Sequence, residues 1–187
     1  MSAQRRARRV AVHVSGSVAA FKACEVITAL RQEGCEVHVA MTRGASRFIT
    51  AITLQSLSGH PVLDDVWEHS GTHGMGHIEL GAWAEVHVAV AASANLIARL
   101  AHGLADDAVT AALLASRAPL LVAPAMETAM WEHPATRANV EALRSRGVHL
   151  IGPVSGRLAS GAEGEGRMAD VAAVVEATMG RLRDGGG

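Results

Sequence analysis

At 187 residues the chain fits one domain that buries roughly two thirds of its unfolded surface, and its aromatic share of 3% excludes a large aromatic core. Seventeen Lys and Arg against eighteen Asp and Glu give a net charge of -1, so the totals point away from nucleic acid, and two cysteines exclude a disulfide framework. No apolar stretch reaches about 20 residues and no secretory core follows Met1, so a soluble, cytoplasmic chain without a membrane segment is expected.

Residues 1–9, with Arg5, Arg6, Arg8 and Arg9, read as a basic, solvated tail, and residues 10–182 as one domain. Val10 to Val14 is a first buried strand, and Ser15-Gly16-Ser17 turns into a helix from about Val18 to Gln32. Cys35 to Met41 is the next strand, and residues 45–58 have a broad apolar helical face that includes Phe48. After a Gly- and His-rich loop at 69–77, a new unit starts at Ile78 to Trp83. Glu85 to Ala92 is apolar apart from His87, and Ser93-Ala94-Asn95 opens a helix to about Leu100. A helix at 108–116, a strand at 119–123, a helix at 135–146 and a strand at 148–151 follow. Gly152 to Gly166 holds five glycines and reads as a mobile flap or a loop laid over a neighbour. A helix over 169–182 and a fraying end at 183–187 complete a mostly parallel α/β sheet covered on both faces. An apolar share of 49% is high for a monomer of this size, so oligomerisation is expected.

The ligand edge of such a sheet is formed by the C-terminal ends of its strands. Gly16 stands alone between Ser15 and Ser17, which suits one phosphate as well as ordinary helix capping. Thr42 and Ser46 follow the second strand, and Ser93 and Asn95 a later one. Pro124-Ala125-Met126-Glu127-Thr128-Ala129-Met130-Trp131 follows an apolar strand at the same edge, although its thioethers and indole also fit plain packing. His77 is suited to proton transfer near neutral pH. Its spacing from His69 and His73 also invites a metal, but the intervening glycines and the missing Cys or Asp argue against one, and no metal is expected.

Four ordered blocks resemble the flavin-dependent cysteine decarboxylases, the family of phosphopantothenoylcysteine decarboxylase and of the enzymes that decarboxylate the C-terminal cysteine of ribosomally made peptides. They are His77-Ile78-Glu79-Leu80, Ser93-Ala94-Asn95 with the run from Leu100 to Asp106, the 124–131 motif, and Gly164-Glu165-Gly166-Arg167-Met168. The resemblance spans roughly residues 10–170. It implies a flavodoxin-like, Rossmann-like three-layer fold, FMN as cofactor, and active sites built between subunits of a trimer or dodecamer. It implies that Gly16 and Ser17 hold the flavin phosphate, with Thr42, Ser46, Phe48, Ser93, Asn95 and Met126 around the cofactor. His77 becomes the catalytic base, with Glu127 beside the reacting groups. Met126, Glu127 and Met130 then meet the substrate, along with a clamp at about 155–168 that includes Ser160, Arg167 and Met168.

Two departures from the family pattern bear on the product. Glu127 stands where the motif has Asn, and a charged Glu facing a substrate carboxylate is repulsive, so it is protonated, binds another donor, or the substrate is held differently. Ser160 stands where the coenzyme A branch has a cysteine that returns an enethiol intermediate to the saturated thiol, and a hydroxyl is a far weaker proton donor. Release of the enethiol follows, as in the peptide-modifying branch, and a C-terminal cysteinyl precursor peptide is the expected substrate. Phosphopantothenoylcysteine decarboxylation, or a non-catalytic FMN-binding subunit, is the alternative. Ala91, where the family often has proline, is a lesser departure.

Overall fold

The apolar runs that alternate with amphipathic segments form parallel strands in a sheet of order β3-β2-β1-β4-β5-β6. The computed structural model describes residues 7–67 and 76–184. In chain order, β1 (Arg8–Val14) leads through a 3-10 turn (Val18–Phe21) into α1 (Lys22–Gln32), then β2 (Cys35–Met41). A second 3-10 turn (Ala45–Arg47) precedes α2 (Ala51–Ser58) and the short β3 (Val62–Leu63). α3 (His77–Trp83) is followed by β4 (Val86–Ala92), α4 (Ala94–His102), α5 (Ala108–Leu114) and β5 (Leu120–Pro124). α6 (Thr128–Glu132), α7 (Pro134–Ser145) and β6 (His149–Leu150) close the sheet unit. β7 (Val154–Arg157) and β8 (Glu163–Arg167) form a separate antiparallel pair, and α8 (Val171–Asp184) packs back on the sheet.

Strand alternation sorts the core into two layers. Val10, Val12 and Val14 of β1, with Val37, Val39 and Met41 of β2, pack under α1, α2 and α8 through Ile27, Leu30, Leu54 and Val174. The opposite face carries small residues, Ala11, Ala40 and Ala89, under Leu80, Leu96, Ile97, Val109, Val140 and Leu143. Small strand residues on that face let α3, α4, α5 and α7 approach closely. The three-layer, flavodoxin-like architecture expected from the sequence is present, and the crossing from β1 to β4 places a crevice at the C-terminal strand ends.

His13 and His87 are fully buried on the small-residue face. His13 Nε2 and His87 Nδ1 are 2.8 Å apart, and His87 Nε2 is 2.8 Å from Ser116 Oγ, so the pair is a hydrogen-bonded relay inside the core. Burial, with some repulsion from His87, holds the His13 imidazole well below its ordinary pKa. Burial also pulls His87 down to about 4.

Several boundaries differ from the sequence expectation. β1 begins at Arg8, because the Arg9 backbone N–H donates to Glu85 Oε2 at 3.2 Å and its guanidinium pairs with the same carboxylate at 3.5 Å. The helix expected over 45–58 breaks at Phe48 to Thr50, where Thr50 accepts the Thr53 N–H and caps α2. Gly59, at φ 79, ends α2 in a conformation that costs a side-chain-bearing residue more. β3 and α6 are too short to give a periodic signal. The stretch expected as a flap or loop at 152–166 contains an ordered hairpin whose strands pair from Val154 opposite Arg167 to Arg157 opposite Glu163. His69 and His73 lie outside the described residues.

Candidate active site

Two polar turns, at Ser15–Ser17 and at Ser93, are bonded to each other and to Ala125 at the C-terminal edge. Ser15 Oγ donates to Ala91 O at 2.8 Å and accepts the Ser93 N–H at 2.9 Å, which ties the β1 turn to the start of α4. Ser93 then caps α4 by accepting the Leu96 N–H at 3.3 Å. Ser17 Oγ donates to Ala125 O at 3.2 Å, and the Ala125 N–H donates to Ala92 O at 3.0 Å. Ala91 sits at φ 55 in a break of the β4–β5 register. A proline ring fixes φ near −65°, so a proline at 91 is incompatible with this backbone, and the departure there has a structural consequence.

These turns wall a cleft of about 630 Å³. Gly16 and Ser17 lie at one end, Phe48 and Ser93 beside them, and Met126, Glu127, Met130, Arg167 and Met168 further along. A Cβ on Gly16 would stand 2.9 Å from the Gly44 carbonyl carbon, so the two turns touch backbone to backbone. Serine-capped turns at helix starts and a methionine-lined wall fit a phosphate-bearing planar cofactor.

The hairpin forms the roof. Met126 N–H donates to Gly166 O at 3.0 Å, and any side chain at Gly166 would collide with the Met126 carbonyl oxygen. Gly164 is pressed on Thr128 in the same way. The glycines that suggested mobility therefore permit close packing. Glu127 accepts from Ser160 Oγ at 2.9 Å, so of the three options for its charge the structure shows another donor. Arg167 Nε is buried without a hydrogen-bond partner, while its terminal nitrogen lies 3.5 Å from Asp170.

Other expected residues are placed elsewhere. Thr42 is buried, and its Oγ1 accepts the Ala45 N–H at 3.2 Å. Ser46 donates to Arg43 O at 2.8 Å, and Asn95 is exposed on α4. None of these three, nor Ser160, lines the cleft within one chain. His77 is the first residue of α3, where Glu79 accepts the Gly76 N–H at 3.1 Å. It lines a separate hollow of about 970 Å³ with Trp67, Ile78, Asp106 and Leu114. One chain thus separates its proposed base from its cleft.

Lys22, Phe21 and Arg157 line the cleft and were not singled out from sequence. Lys22 and Phe21 lie one turn beyond the Ser17 cap, and that spacing was the available signal. Arg157 depends on the hairpin and had no local signal. Among the described residues no helix is long and apolar enough to cross a membrane.

The Flavoprotein family model matches residues 1–183. The coenzyme A biosynthesis bifunctional protein CoaBC of Escherichia coli (strain K12) is 44% identical over 169 residues, which are 90% of this chain and 42% of that protein. The chain therefore spans less than half the length of the curated relatives it matches. Among solved structures, a PPC decarboxylase cysteine-to-serine mutant complexed with pantothenoylaminoethenethiol aligns at TM-score 0.83 and 34% identity, covering 93% of this chain and 97% of that one. The FMN-dependent cysteine decarboxylase SpaF aligns at TM-score 0.81 and 32% identity, covering 94% and 97%.

Proposed function

The chain belongs to the flavoprotein family, and we propose that it is an FMN-dependent decarboxylase of a cysteine-bearing substrate, removing CO2 and two hydrogens from a C-terminal cysteine and releasing the enethiol. The observation that carries this reading is the hydroxyl of Ser160, held by Glu127 at 2.9 Å where the resemblance puts a proton-donating thiol. A serine hydroxyl does not supply a proton to an enethiol near neutral pH.

Bound FMN supplies the two-electron oxidation of the substrate. The side chains of this chain do the remaining work. Ser17 and Ser93, which line the cleft at two helix starts, would hold the cofactor phosphate, and Met126 would form the wall beside the reacting thiol. Lys22, Arg157 and Arg167 put positive charge on the cleft wall and attract an anionic substrate. Hairpin β7–β8 covers the substrate and excludes water.

The His77 of a second copy of the chain takes the proton of the substrate thiol bound in this cleft. Val18, Phe21 and Phe48 expose apolar surface at the cleft, and Trp67, Ile78 and Leu114 expose it around His77. Two unlike apolar patches on one chain suit a head-to-tail contact, which closes into a ring when the rotation allows. This supports a homo-oligomer, a trimer or a dodecamer assembled from such rings.

Two substrates fit the chemistry. The coenzyme A biosynthesis relatives and the PPC decarboxylase structure favour phosphopantothenoylcysteine, and Ser160 with Glu127 favours a precursor peptide whose enethiol is the useful product. Mass spectrometry after incubation with each substrate decides. Loss of about 46 Da from a cysteine-ending peptide supports the reading, because CO2 and two hydrogens leave together. Loss of about 44 Da from phosphopantothenoylcysteine, with the peptide untouched, overturns it.

A further inference from the structure

Glu36, His38 and His60 bring one carboxylate oxygen and two imidazole nitrogens within 4.8 Å of one another, away from the cleft. Glu36 and His38 are two residues apart on β2 and share the face opposite Val37 and Val39. His60 follows the Gly59 turn and precedes β3, the edge strand that pairs with β2 at Val39–Val62 and Ala40–Leu63. Three side chains, two from β2 and one from the turn before β3, therefore converge on one point.

The geometry points to a divalent transition-metal site, with zinc as the reference ion, formed by Glu36, His38 and His60. The Nε2 atoms of His38 and His60 lie 3.6 and 3.9 Å from Glu36 Oε1. Ligand atoms of a tetrahedral zinc shell, with bonds of about 2.0–2.1 Å, are about 3.4 Å apart, so the separations from Glu36 Oε1 are already near those of a bound shell. Two imidazoles and a carboxylate leave a fourth position for water, as open three-ligand sites do.

One rearrangement is required. The His38 and His60 rings stack with centroids 4.0 Å apart and planes at 19°, and an ion cannot lie in both ring planes in that arrangement. His60 is 36% exposed and has room to turn, whereas His38 is 12% exposed and held edge-on by Trp83 at 4.4 Å. His38 is thus the fixed ligand and His60 the closing one.

The charges around the cluster suit a cation. The nearby Arg9, 5.9 Å from the Trp83 ring centre, is neutralised by Glu85 at 3.5 Å. Among the described residues Glu36 pairs only with the two histidines. An ion here would staple the two-residue edge strand β3 to β2 and brace Trp83 at the end of α3, the helix that begins at His77. Its predicted role is structural, since the site stands outside the cleft residues.

The test uses the FMN-loaded full chain stripped with a chelator, then titrated with Zn2+ by calorimetry and with Co2+ by difference absorbance. One Zn2+ per chain, a raised Tm, and tetrahedral Co2+ ligand-field bands are expected. The variants Glu36→Gln and His60→Gln, both at partly exposed positions, should weaken Zn2+ affinity by more than about 100-fold and abolish the bands while leaving the metal-free Tm nearly unchanged. Absence of saturable binding overturns the proposal. Binding that survives both substitutions places the ion on other histidines and overturns it equally.

Discussion

Ser160 Oγ lies 2.9 Å from Glu127 Oε2, so the two side chains that depart most from the family pattern are hydrogen-bonded to each other. Glu127 stands at the start of α6, and Ser160 lies in the turn between β7 and β8. Each substitution alone looks damaging. Together, the acid gains a donor and the hairpin gains an anchor.

Replacing Ser160 with Cys restores a thiol at the clamp. With a substrate that the enzyme decarboxylates, part of the product should change from the enethiol, about 46 Da below substrate, to the saturated thiol, about 44 Da below. High-resolution mass spectrometry of the product mixture checks this, and an unchanged enethiol fraction would remove Ser160 as the determinant.

Glu127→Asn keeps an acceptor for the Ser160 hydroxyl and removes a negative charge from the cleft. KM for a carboxylate substrate should fall roughly tenfold, which corresponds to about 1.4 kcal/mol of relieved repulsion. Steady-state kinetics at two salt concentrations measures it. An increase in KM shows instead that the acid contacts the substrate favourably.

His77→Asn should lower kcat by roughly 10²–10⁴ while the flavin stays bound, as expected for loss of a general base. Because His77 and the cleft occur on different faces of one chain, mixing this variant with a cleft-defective Gly16→Ala variant should restore partial activity in mixed oligomers. A mixture as inactive as its components argues against a base donated between copies.

Gly16→Ala places a methyl group 2.9 Å from the Gly44 backbone, and neither turn can yield without moving a strand end. Weakened FMN retention and a stability loss of about 1–3 kcal/mol are expected. Absorbance of the purified protein and a urea melt report the two effects, and a yellow variant of native stability contradicts the phosphate-turn assignment.

The buried histidine pair sets an acid limit. The folded-state pKa of His87 is about 4 and that of His13 is also lowered, while both rise to about 6.5 on unfolding. The unfolded chain therefore takes up protons first as pH falls. Stability from this source is complete above pH 6.5 and is lost progressively toward pH 4, by an amount of order 3 kcal/mol from His87. Denaturant melts across that range should show the slope, and His87→Gln should flatten it. Equal slopes in both proteins would assign the acid limit to carboxylates.

The strands could be placed from sequence because apolar runs such as Val88 to Ala92, closed by Ser-containing turns, give few alternatives to buried parallel strands. The residues of the 124–131 motif identified the ligand edge for the same local reason: a proline and small residues end a strand there. The hairpin was not legible. Its glycines have one local signature whether they are mobile or pressed on another segment, and only the contact of Gly164 and Gly166 with Thr128 and Met126 distinguishes the two.

The sequence by itself determined the layered α/β fold and the polar turns at the strand ends, because strand period, turn residues and helix caps act over neighbouring positions. Tertiary structure alone decided that Glu127 meets Ser160, that Glu36, His38 and His60 converge, and that His77 lies apart from the cleft of its own chain. Those relations join residues far apart in the chain or on separate strands, and their distances are fixed only when the sheet registers and the packed helices set them.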